Sequence, residues 1–96
     1  MSRHFMIDED EHSNPSWIFV YCDEPDWDEP DGLFDLMERI ITYVGGRIHP
    51  VENEFYQYTI DGVDSLIFQW DGCFGIVVIC DPNKRKSAIE FLKKYT

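Results

Sequence analysis

The densest collection of ionisable groups in the chain is Asp23-Glu24-Pro25-Asp26-Trp27-Asp28-Glu29-Pro30-Asp31-Gly32. Six of the nine residues from 23 to 31 are acidic, and Asp-Glu-Pro-Asp occurs twice, at 23–26 and 28–31, around Trp27. Carboxylates this close repel one another at neutral pH, so the run calls for compensation by cations. Pro25 and Pro30 stiffen the backbone, which leaves little entropy to lose when a partner fixes the loop. A rigid acidic row beside an exposed aromatic suits a basic protein. Asp23, Glu24, Asp26, Asp28, Glu29 and Asp31 would meet its cations, and Trp27 would be the apolar anchor. The plainer alternative is a solvated loop whose Trp27 covers the core.

Other chemistries find less support. Counted as a calcium loop from Asp26, the third position is Asp28, but the fifth is Pro30 and the glycine arrives one place late. His4, His12 and His49 are scattered, and no Cys-x-x-Cys or His-x-x-x-His pair occurs, so no metal and no cofactor is expected. Cys22 and Cys80 each end an apolar run and read as buried, inert thiols, while Cys73 follows the turn residues Asp71-Gly72. Neither these cysteines nor His49 fall in a nucleophile motif, and no glycine-rich phosphate loop is present. The chain therefore reads as a non-enzyme.

The elements that must carry these residues follow from pattern and punctuation. Residues 1–15, with the block Asp8-Glu9-Asp10-Glu11, read as a polar acidic arm, and residues 16–96 as a single domain. Trp17 to Cys22 is β-branched and aromatic, which predicts a strand buried on both faces. Asp28 as N-cap, Pro30 and Asp31 open a helix whose apolar stripe is Leu33, Met37, Ile40 and Val44, widened by Leu36 and Ile41. Gly45-Gly46 ends it. A strand is expected within 47–60, interrupted near Pro50, with Tyr56 and Tyr58 on one face, either displayed or packed under a helix. Asp61-Gly62 and Asp71-Gly72 signal hairpins around a strand at 65–70, and a central strand runs from Phe74 to Cys80. Asp81-Pro82 opens a second helix striped by Ala88, Phe91, Leu92 and Tyr95. Lys84, Arg85 and Lys86 fall in its first turns, where the helix dipole disfavours cations and nothing local explains them. The expected fold is α+β, in the order β-α-β-β-β-α: a four-stranded, mainly antiparallel sheet with two helices packed on one face.

Composition bounds the function. Ninety-six residues, 44% hydrophobic and 16% aromatic, allow one core and one domain. The formal charge is −11, from 19 acids and 8 bases. Residues 1–38 hold twelve acids against Arg3 alone, whereas 39–96 are balanced. Such a dipole steers a basic partner and opposes direct contact with nucleic acid or anionic lipid. No apolar run approaches a membrane span, and the polar first residues predict no secretory signal. An odd number of unpaired-looking cysteines then suits reduced thiols and a cytoplasmic location.

Small size, acidic excess, compact α+β order and the absence of a catalytic motif together resemble bacterial immunity proteins. These neutralise nuclease toxins, including those of contact-dependent growth inhibition systems. The resemblance covers the chain as size, charge and element order, and carries over no family residue. It implies a basic partner, a nuclease toxin, whose active site or substrate groove this chain occludes through fast, salt-sensitive association. Two other readings stand beside it. One is a nucleic-acid-mimicking inhibitor of a host defence enzyme. The other is a regulatory or small-ligand-binding domain in which residues 39–96 carry the function and the acids only confer solubility.

Overall fold

The structure, a computed structural model, describes residues 4–22 and 31–96, with Asp64 described by its backbone alone. Its class is α+β. Six strands form one antiparallel sheet: β1 (Phe5–Asp8), β2 (Trp17–Cys22), β3 (Ile48–Pro50), β4 (Gln57–Ile60), β5 (Val63–Asp71) and β6 (Gly75–Ile79). Helix α1 (Asp31–Val44) joins β2 to β3, and α2 (Arg85–Lys93) follows β6 through a 3₁₀ turn at Pro82–Lys84. The spatial order is β1-β2-β6-β5-β4-β3. Helix α1 thus carries the chain from β2 to the far edge, and the β3–β6 meander returns it beside β2.

The expected four strands are too few. One addition is β1, inside the stretch read as a polar arm. Phe5 and Ile7 give it one apolar side, and it pairs with β2 through Phe5↔Cys22 and Ile7↔Val20. Four residues followed by acids carry little pattern alone, and the strand exists because β2 offers an edge. The other addition comes from the division of 47–60 into β3 and β4, with Val51–Tyr56 looping between them.

The punctuation holds elsewhere. Gly45 takes φ +73 and its N–H bonds to the Ile41 carbonyl at 2.8 Å, closing α1 as a left-handed C-terminal glycine. Gly46 is needed for a different reason: a Cβ there would overlap the Asp61 carbonyl. Gly62, at φ +80, turns β4 into β5. The Asp81 carboxylate accepts from Asn83 N–H at 2.9 Å and caps the 3₁₀ turn.

Both helices pack on the same side of the sheet. Leu33, Leu36, Met37 and Ile40 of α1 and Ala88, Ile89 and Leu92 of α2 share one core with Phe5, Ile18, Val20, Ile60, Leu66, Phe68, Ile76 and Val78. Val44, expected in the α1 stripe, is exposed at the helix end. Tyr58 lies under α1 with its ring 5.1 Å from that of Phe34, and Tyr56, at φ +58 and exposed, packs against Trp70, which itself packs on the core. The two tyrosines therefore lie toward the same, helix-covered side, Tyr58 beneath α1 and Tyr56 at its exposed margin.

Arg85 is the one buried charged side chain among the described residues. Its Nη1 donates to the carbonyls of Trp17 at 2.6 Å and Pro15 at 3.1 Å, and its Nη2 to those of Asp10 at 2.9 Å and Glu9 at 3.3 Å. The guanidinium locks α2 to the β1–β2 connection, which explains a cation in the first turn of a helix.

Candidate functional site

Of the residues expected to meet a partner, Asp23, Glu24, Asp26, Trp27, Asp28 and Glu29 lie outside the described residues, as does the expected cap Asp28–Pro30. Asp31 is described: it is exposed and opens α1, where the positive end of the helix dipole favours a carboxylate.

A second acidic group stands where β1 enters its turn. Asp8 accepts from the His12 ring at 2.6 Å and from Asp10 N–H at 3.0 Å. Ligand-type atoms of Asp8, Asp10 and His12 lie within 4.8 Å of one another. Glu9 beside them pairs with Lys93 of α2 at 3.1 Å. At the opposite edge of the sheet, His49 lies 2.9 Å from Asp61. The His12 hydrogen bond, with help from the Asp10 N–H, holds the Asp8 carboxyl below its ordinary value of 3.8; the His49 hydrogen bond does the same for Asp61. A carboxyl that titrates lower when folded contributes stability above its ordinary value and loses it as the pH falls through the folded value. Asp8→Asn and Asp61→Asn are each expected to flatten the acid fall of Tm between about pH 4 and pH 2. An unchanged slope in thermal melts across that range would count against both pairings.

The sheet face opposite the helices is the larger finding. Alternation along paired strands puts Met6, Asp8, Trp17, Phe19, Tyr21, Ile67, Gln69, Asp71, Val77 and Ile79 on it. The β3–β4 half is polar: His49 and Thr59 are cross-strand partners, and Gln57 bonds Gln69 at 2.6 Å. The β2–β6 half is aromatic. The Phe19 ring lies 5.6 Å from Phe74, 6.1 Å from Trp17 and 5.7 Å from His12, and Trp17 lies 6.3 Å from Phe74. Val77 beside them is completely buried on a side where neither described helix packs, while Phe74 stays 53% exposed. Asp71 positions Phe74, because its Oδ1 accepts from the N–H groups of Cys73 at 2.7 Å and Phe74 at 3.2 Å.

The strand at 17–22 is thus covered by helices on one face only, contrary to expectation. The signal was present in the alternation of Trp17, Phe19 and Tyr21 with Ile18, Val20 and Cys22, one side wholly aromatic. Strand composition alone masked it.

Cys80 is buried and Cys73 lies exposed on the β5–β6 turn; Cys22 is half-buried against the core. Burial pushes the Cys80 thiol up, away from the reactive thiolate. A groove of about 220 Å³ runs between Val63, Leu66, Lys84, Ala88 and Phe91. It is below the roughly 300–1,000 Å³ of small-molecule sites. Among the described residues, no helix is long and apolar enough to cross a membrane.

Among the described residues, the fold and surface define an α+β domain with one helix-covered and one open sheet face. Comparison with protein-family models, curated proteins and solved structures found no match.

Proposed function

We propose that this protein is an acidic binding protein that neutralises a basic protein partner, in the way an immunity protein neutralises its cognate nuclease toxin. The supporting observation is the acidic excess of residues 1–38, twelve acids against one base, together with a sheet that carries no base. None of the six strands contains Lys or Arg. Five of the chain's eight bases, Lys84, Arg85, Lys86, Lys93 and Lys94, belong to α2 and its flanks, where Lys93 pairs with Glu9. Along the chain, the acids gather in residues 8–11 and 23–38. Such a distribution attracts a cationic surface at long range and orients it on approach. Occupying the cations that otherwise hold RNA or DNA phosphates would stop the partner's reaction without any chemistry by this chain. The protein would act in the cytoplasm and would need no cofactor.

Affinity capture from source-cell lysate, washed at low and then high salt, tests the reading when followed by assay of the captured protein. The expected result is a basic nuclease that this chain inhibits stoichiometrically and releases in high salt. Recovery of a near-neutral enzyme subunit, or of nothing at either salt, would overturn it. With such a nuclease in hand, a variant carrying Asn or Gln for the six acids of 23–31 should associate at least tenfold more slowly at low salt and keep its fold by circular dichroism. Unchanged association would remove that segment from the mechanism.

A further inference from the structure

We propose that the open sheet face is where the partner seats, and that the occupant of the Trp17–Phe19–Phe74 cluster is an arginine-bearing protein surface. The inference rests on the reading that the partner is basic, and adds which face binds and which cation it selects.

Charge complementarity decides among possible occupants. Among the described residues, the charged side chains that alternation places on this face are Asp8 and Asp71, both acidic, and no strand supplies Lys or Arg. Phosphates, acidic peptides and anionic lipid headgroups are therefore repelled. A second copy of the chain would set these acids against their own images at a charge of −11 each. A cationic surface is attracted, and arginine fits better than lysine for two reasons. A guanidinium stacks on aromatic planes, which Phe74 displays at 53% exposure beside the half-buried Trp17 and Phe19. It also directs several N–H donors in one plane, so it can stack and reach a carboxylate together. Asp71 and Asp8 have acceptor capacity for this, since a carboxylate offers about four lone-pair sites and each uses only some of them on the turn and on His12. The apolar part, Trp17, Ile79 and Ile67 in register across three strands, supplies the desolvated centre that an acidic rim alone lacks. Its polar neighbours Gln57 and Gln69 bond each other and mark where the patch ends.

The test uses the full chain with hexa-arginine and hexa-lysine peptides at low ionic strength, read by calorimetry and by amide chemical-shift mapping. Hexa-arginine is expected to bind about tenfold tighter than hexa-lysine, with shifts centred on β2, β6 and the 71–75 turn. Phe74→Ser, an exposed position, should erase most of that preference while leaving the weaker charge-driven binding, and Trp17→Ala should act likewise if thermal melts show it folded. Equal binding of both peptides with shifts confined to the neighbourhood of 23–31 would overturn the face and leave the basic-partner reading standing. Failure of both peptides to bind would overturn the face and the basic-partner reading alike. Concentration-dependent self-association mapping to the same face would also overturn the proposal, by making a second copy the occupant.

Discussion

Arg85→Ala is expected to lower the unfolding free energy by about 3 kcal/mol, measured by urea denaturation. The side chain is 7% exposed and donates to four carbonyls, two of them within 2.9 Å. A hydrogen bond to a charged donor is worth about 1.5–3 kcal/mol, and a carbonyl stripped of its donor is costly wherever water cannot replace it. The Glu9 and Asp10 carbonyls lie in an exposed turn and can be rehydrated, so the loss falls short of the full sum. Against a total stability of about 5–15 kcal/mol the loss is still large. Arg85→Lys should recover less than half, because one ammonium cannot span carbonyls on both sides of the β1–β2 connection. The same variant should expose β1 to hydrogen exchange before the meander, since α2 would no longer be tied to it. A loss under about 1 kcal/mol would mean that the carbonyls are equally well served by water.

Phe68→Ala should cost about 3–5 kcal/mol, and Phe74→Ala no more than about 1 kcal/mol. The two phenylalanines lie six positions apart, at β5 and just before β6, and similar hydropathy gives no reason to rank them. Phe68 is fully buried, with Tyr58 and Val78 as cross-strand partners and the helices above it. Its removal leaves a cavity that a strand held between β4 and β6 cannot close. Phe74 lies on the open face and loses only ring contacts with Trp17 and Phe19. Equal costs for the two would mean that the open face is as thoroughly packed as the covered one. That outcome would also weaken the case for a partner there.

Much of this architecture is legible in the chain. Gly45 at a helix end, Asp61-Gly62 at a hairpin and Asp81-Pro82 before a helix act through local backbone preference, so sequence suffices to locate them. The stripes of α1 and α2 follow from period, and Leu33, Met37, Ile40, Ala88 and Leu92 are buried as their spacing requires. The acidic excess of the first 38 residues is simple counting. What the chain leaves open is non-local. Strand β1 is four residues long and depends on the β2 edge for its hydrogen bonds, so its own pattern is too brief to announce it. Arg85 looks misplaced until the carbonyls of residues 9–17 surround it, partners about 70 positions away. The open face is the clearest case. A period of two says that Trp17 and Ile18 point to opposite sides of a strand, and it is silent on which side the helices will cover. That choice is made by where the two apolar helix stripes can both be buried at once, which only the packed structure decides. Local preference and charge belong to the sequence; the identity of the exposed aromatic surface belongs to the tertiary fold.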